Sequence, residues 1–218
     1  MAKSKTKKKT SLMLIISAIL LIAVSVMSLC MMSLPMSKTV TTVTAGNTNS
    51  VTESETANAF NYIKEWTEKD EDGDSKLSTY KEWIKDYEEG SIKVNILGDS
   101  IETAKHKVAI VECLIVVIAA AAVAMVLGLV ALVLAFVKKN GAGKVFGLLA
   151  LLCVLAIFIL SCIIFAFYNP IATAADGTVT VLGVTTTKAT SSVSAMAMLI
   201  VSLIGFVAST VTLVLSRK

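Results

Sequence analysis

The residue types and spacing suited to metal chemistry lie in one stretch, Asp70-Glu71-Asp72-Gly73-Asp74-Ser75-Lys76-Leu77-Ser78. Asp70, Asp72 and Asp74 fall at positions 1, 3 and 5 of an EF-hand loop, and Leu77 at its aliphatic position 8. A hard cation such as Ca²⁺ collects six to eight oxygens, which alternate carboxylates on one turn can begin to supply. Two positions depart from the pattern. Ser75 stands in place of the loop glycine and Lys81 in place of the bidentate glutamate, with Glu82 one residue further on. The stretch reads either as a solvated acidic turn capping the following helix or as a calcium site of roughly 10⁻⁴–10⁻³ M affinity at best. No other cofactor is implied.

Glu112 is the one charged side chain inside the long apolar segments. A carboxylate there is a candidate for ion or proton transfer, set against anchoring in the interface beside His106 and Lys107. Near the C-terminus, Ser194, Ser202, Gly205, Ser209 and Thr212 recur at helical spacing. They read as bundle packing with hydroxyls bonded to their own helix, as the lining of a path, or as a contact with another subunit. Covalent catalysis has little to work with. There is a single histidine, and Cys30, Cys113, Cys153 and Cys162 all sit in apolar runs without zinc-type spacing, so no enzymatic activity is expected.

The elements that must carry these residues are set by an apolar composition. Of 218 residues, 55% are hydrophobic and 17% charged, more apolar surface than one water-soluble core of this size can hide. Four runs are long enough to cross a hydrocarbon core of about 30 Å as helices: 11–34, 108–137, 145–168 and 193–215. The first exceeds a secretory h-region and lacks a small-x-small cleavage site, so it is expected to stay as a span. The 30 residues of the second exceed the bilayer thickness, and the excess is expected on the outer side together with Glu112. Its small residues Ala120, Ala124 and Gly128, spaced four apart, allow close helix approach, as do Ser202, Gly205 and Ser209 on the fourth.

Orientation follows from charge. The tail 1–10 carries five lysines, the loop 138–144 three, and the end 216–218 Arg217 and Lys218, with no acidic residue among them. The positive-inside rule expects these three segments in the cytoplasm. The loops 35–107 and 169–192 are then outside, and the larger holds 14 acidic against nine basic residues.

The large loop begins with a β-branched run, Thr39–Thr44, and a turn at Ala45-Gly46-Asn47. Helical spacing follows at Phe60, Ile63 and Trp66, with Thr56 as the expected N-cap, and again from Leu77 to Tyr87. Residues 92–97 alternate as a strand, and in the small loop Thr178–Thr187 reads as one strand. The expectation is a mainly α membrane protein. It has a four-helix transmembrane bundle and a small extracellular α+β layer of three or more strands and a helical pair. Trp66 and Trp83, on the apolar faces of that pair, read as its core or as a contact surface.

This layout of four spans, inner termini, a large first outer loop with β structure and a smaller second one resembles the claudin-like tetraspan superfamily. Tetraspanins place their large loop between the third and fourth spans. The claudin Trp-Gly-Leu-Trp pattern and its cysteine pair do not occur here, so no residue role is carried over. The resemblance implies a surface protein of adhesion, membrane organisation or accessory-subunit function, expected in the plasma membrane. Its partners would be the bilayer and other membrane or surface proteins, including a second copy, with neither nucleic acid nor a small-molecule substrate. The alternative is a channel or transporter using the hydroxyl stripe and Glu112.

Overall fold

The computed structural model describes residues 2–71, 73–90, 100–182 and 184–216. The elements in chain order are α1 (Ala2–Met31), β1 (Ser37–Ala45), β2 (Thr48–Glu55), α2 (Ala59–Thr67), α3 (Lys76–Glu88), α4 (Ile101–Phe136), α5 (Asn140–Thr173), β3 (Gly177–Val181), β4 (Val184–Ser192) and α6 (Val193–Leu215). Among the described residues four helices are long and apolar enough to span a membrane. The chain divides into two compact units. One comprises Met1–Met31, Val116–Cys162 and Ala197–Lys218; the other comprises Met32–Ile115 and Ile163–Met196.

The first unit is a helical bundle, and its order is visible in which residues each helix buries. Within this unit the buried seam of α4 runs through 117, 121, 124, 128, 131 and 135; that of α5 runs through 143, 147, 150, 154, 157 and 161, with Leu151 buried beside it. Steps of three and four alternate without a break, the 3.5-residue repeat of helices that cross at about 20° and interlock knobs into holes. The α4 seam is small along its inner stretch: Ala121, Ala124, Gly128, Ala131 and Ala135. Facing positions are bulkier, and Leu14, Leu21, Val24, Ala150, Leu151, Val154 and Leu213 close one core with Ala124 and Ala135. The outward faces carry Val123, Val126, Leu129, Val133, Leu152, Ile159, Leu203, Ile204 and Val207, all exposed. So broad an apolar exterior is what lipid-facing helices require.

The second unit joins a sheet and a helical pair. The sheet is antiparallel throughout, in the order β2-β1-β4-β3. Gly46, at φ 57°, turns the chain between β1 and β2, a left-handed position that glycine occupies without steric cost. At the root of the sheet Val193 N–H donates to the Met36 carbonyl, and the buried Tyr168 hydroxyl donates to Ser37 Oγ at 3.2 Å. The helical pair closes over Trp66, Tyr80 and Trp83, packed with Ala104, Val108 and Val111 of α4.

Several expectations are corrected. Helices α4 (Ile101–Phe136) and α5 (Asn140–Thr173) extend past the apolar runs 108–137 and 145–168 at their N-terminal ends, and α5 also at its C-terminal end, because the polar first turns and the stretch around Pro170 continue the backbone ladder. Thr56 does not cap α2. Its hydroxyl accepts the Ser37 N–H at 2.8 Å, and Asn58 caps instead by accepting the Asn61 N–H. The run 178–187 is two strands, since the register pairs Val181 with Val184 across a two-residue turn. Residues 48–55 add a strand that their polar composition concealed. Ala120 lies one position off the buried seam and is half-buried, with Ala121 in its place. The expected strand at 92–97 lies outside the described residues.

Candidate interaction surface

The sheet is built from residues that satisfy a strand without demanding a core. β1 reads Ser-Lys-Thr-Val-Thr-Thr-Val-Thr-Ala and β4 Val-Thr-Thr-Thr-Lys-Ala-Thr-Ser-Ser. Threonine supplies β-branching for an extended backbone and a hydroxyl for either face. Registers place Thr42, Thr187 and Thr178 in one rank across three strands, and Thr44, Thr185 and Thr180 in the next. Within these ranks Thr178 and Thr187 hydroxyls lie 3.1 Å apart, and Thr180 and Thr185 hydroxyls 3.0 Å. On the opposite face Thr39 and Thr190 meet at 3.0 Å. The edge strands β2 and β3 are exposed at every position.

The two edges differ in chemistry. β2 carries Glu53 and Glu55, and Lys38 on β1 pairs with Glu53 at 2.7 Å, which together with Glu55 holds the lysine ammonium pKa above its usual range. β3 carries no charge: residues 177–187 contain neither acid nor base. Its hairpin end presents Val179, Val181 and Leu182 to solvent, with Leu182 99% exposed and at φ 51°. A left-handed leucine with nothing to pack against violates both turn chemistry and burial. The base of the hairpin is fixed by Asp176, whose carboxylate accepts from Thr190 Oγ1 at 2.6 Å and from Thr190 N–H at 2.7 Å. Those bonds, led by the side-chain one, hold the Asp176 carboxyl below the usual carboxylate range against partial desolvation, with Lys188 assisting.

The helical pair offers a second surface. Lys81 on α3 pairs with Glu112 on α4 at 2.6 Å, and Lys105 pairs with Glu88. These pairs rim a shallow cleft of about 380 Å³ floored by Ile84, Val108 and Ala109. Each of its charged groups is half exposed, so each pair contributes on the order of 0–1 kcal/mol. Trp66 and Trp83 are buried and meet through Tyr80, tilted at 56° to the Trp66 ring and edge-on to the Trp83 ring, at centroid distances of 4.9 and 6.0 Å. Among the described residues the indole N–H of Trp83 has no hydrogen-bond partner. His106 stacks on Phe167 at 4.5 Å.

The acidic turn is organised by its own backbone. Asp70 Oδ1 accepts the Asp74 N–H at 2.9 Å, Asp70 N–H donates to the Asp74 carbonyl, and Ser75 caps α3 in a reciprocal box with Ser78. Glu82 is exposed on α3, and Asp72 lies outside the described residues. Among the described residues no three His, Cys, Asp or Glu side chains converge as metal ligands.

In the bundle Ser202 is buried and donates to the Met198 carbonyl at 2.7 Å; Thr212 donates to the Ala208 and Ser209 carbonyls. Ser209 and Ser17 are buried with no hydrogen-bond partner among the described residues. Gly128 faces α1, where an added Cβ would lie 2.8 Å from Ile22 Cγ1, and Gly205 faces Val24, where it would lie 2.1 Å from Cγ2. The packing residues Ala124, Gly128, Ser202, Gly205 and Ser209 are therefore all buried in the bundle.

Sequence reasoning missed Leu182, Val179, Asp176 and the Lys81–Glu112 pair. The pair needs tertiary distance and has no local signal. The hairpin has one: Leu182-Gly183 between Thr-Val-Thr-Val and Val-Thr-Thr-Thr marks a two-residue turn. Comparison with known proteins gives no match: no family model, no curated protein and no solved structure aligns with this chain.

Proposed function

We propose that this chain is a non-enzymatic, multi-pass membrane protein that acts by contact, through a sheet displayed on the outer side of the membrane. The observation that carries the reading is the sheet itself, with edge strands exposed at every position and an uncharged, apolar hairpin end. A sheet that buries neither edge gains stability and purpose from pairing, the mode by which an added strand bonds to an open edge. The charge asymmetry of the flanking segments supports outer placement, with both termini cytoplasmic. The layout resembles claudin-like tetraspans, which favours adhesion, membrane organisation or an accessory-subunit role in the plasma membrane.

The channel alternative draws on Ser17 and Ser209, two buried hydroxyls without partners among the described residues. Against it, Ser202, Thr210, Thr212 and Ser216 spend their hydroxyls on carbonyls of their own helix. Glu112 is half exposed and engaged with Lys81. The test is purification from native membrane followed by reconstitution. A stoichiometric partner that dissociates when residues 177–187 are replaced supports the contact reading. Recovery of the protein alone, with ion flux in phosphatidylcholine liposomes abolished by Ser209→Ala, contradicts it.

A further inference from the structure

We infer that the open β3 edge pairs with β3 of a second copy of this chain, antiparallel and centred on Val179, so that two four-stranded sheets become one of eight. The inference rests on the contact reading above and names the partner and the register.

The first support is symmetry. A two-fold contact is isologous, so the strand must complement its own reverse. β3 reads Gly177-Thr178-Val179-Thr180-Val181, and its core Thr-Val-Thr is a palindrome about Val179. Antiparallel pairing about that residue sets Val179 opposite the partner's Val179, and Thr178 opposite the partner's Thr180.

The second support is the backbone. Thr178 meets Thr187, and Thr180 meets Thr185, with hydroxyls about 3 Å apart. Such side-chain contact belongs to the closely spaced, non-hydrogen-bonded pairs of an antiparallel ladder. The N–H and C=O groups of Thr178 and Thr180 therefore point away from β4, off the open edge. The palindromic register brings those same two residues face to face, so each copy's outward groups meet the other's and four backbone hydrogen bonds form. Val179 then occupies a non-hydrogen-bonded pair, where opposed side chains approach most closely.

The third support is chemistry on each face. On one, the rank Thr42-Thr187-Thr178 continues without a break into the partner's Thr180, Thr185 and Thr44. On the other, Val179, 63% exposed in the single chain, covers its own counterpart. No charge lies between 177 and 187, so the seam sets no like charges together. The opposite edge lacks this fitness, because Glu53 and Glu55 of two β2 strands would put four carboxylates along one seam. Charged residues are the usual guard on an edge that must stay unpaired. Here β2 has them and β3 does not. Four hydrogen bonds and a short strand make a weak contact, effective between chains confined to membrane surfaces.

The test is oxidative cross-linking of full-length protein in phosphatidylcholine liposomes, with the wild-type chain and its four native cysteines as the baseline. Val179→Cys is expected to form a reducible dimer at least fivefold above Thr180→Cys, because residue 180 opposes residue 178 and lies beyond disulfide reach of itself. Adding Thr180→Pro to Val179→Cys removes an outward N–H and is expected to cut the dimer at least fivefold while leaving thermal melting unchanged. Equal cross-linking at 179 and 180, or a dimer indifferent to Thr180→Pro, overturns the register and the inference. Absence of dimer in the liposomes overturns the second copy as partner, and a discrete adduct of Val179→Cys to a different protein in native membrane would then leave the contact reading standing. Absence of any adduct, with ion flux present, removes both.

Discussion

Leu182 is the residue whose chemistry fits its place least. Its left-handed backbone costs an L-residue with a branched side chain about 1–2 kcal/mol, and the side chain gains no burial in return. Such a violation is what the proposed contact surface would require of a residue that serves a partner more than the fold. Leu182→Asn, which tolerates φ near 50°, is expected to stabilise the hairpin by about 1 kcal/mol in thermal or denaturant unfolding while weakening association. A loss of stability would show that the leucine packs. Asp176 works in the opposite sense, since its carboxylate holds Thr190 by two bonds. Its folded-state pKa is depressed, so its contribution is present above the ordinary carboxylate value and is lost as pH falls through the folded value. The stability difference between the parent and Asp176→Asn is therefore expected to be constant at neutral pH and to vanish in acid below the usual carboxylate range. A difference that persists in acid would assign the effect to geometry alone.

At the level of elements, the bundle depends on close approach. Gly205 on α6 sits against Val24 of α1, a β-branched side chain with one preferred helical rotamer and no room to turn away. Gly205→Ala is expected to cost about 1–3 kcal/mol despite alanine's higher helix propensity. Val24→Ala in the same chain is expected to recover most of that loss, and the coupling can be read from a double-mutant cycle in detergent or lipid. Additive effects would show that the two helices do not meet there. The same helices mark how far the sequence was legible. Apolar length gave the four spans, but hydropathy stops where side chains become polar, and backbone bonding does not, so α4 and α5 run further than their apolar cores. A small residue every four positions suggested Ala120, Ala124 and Gly128, whereas the real seam steps by three and four and replaces Ala120 with Ala121. In the pair of helices, three-residue spacing located the buried Trp66, while the cap passed from Thr56 to Asn58 because a neighbouring strand claimed the threonine hydroxyl.

For the molecule as a whole, the division of labour follows composition. Apolar runs with Glu112 as their one charged side chain build the spans, and most of the charge gathers in 35–107. The strands have a third composition, hydroxyl-rich and sparing in charge, with none at all in residues 177–187. Strand periodicity marked β1 and the 178–187 run, yet what makes them a surface is the order β2-β1-β4-β3, which brings strands from two distant loops together and leaves β3 on the edge. Topology of that kind is long-range and leaves no local trace in the sequence. The proposed contact between this sheet and another protein can be read in intact cells with a photoreactive amino acid at position 182. Contact at the β3 edge is expected to give a discrete protein adduct that disappears when Thr180→Pro blocks the neighbouring edge. Illumination that returns only uncross-linked protein, or adducts unchanged by Thr180→Pro, would contradict it.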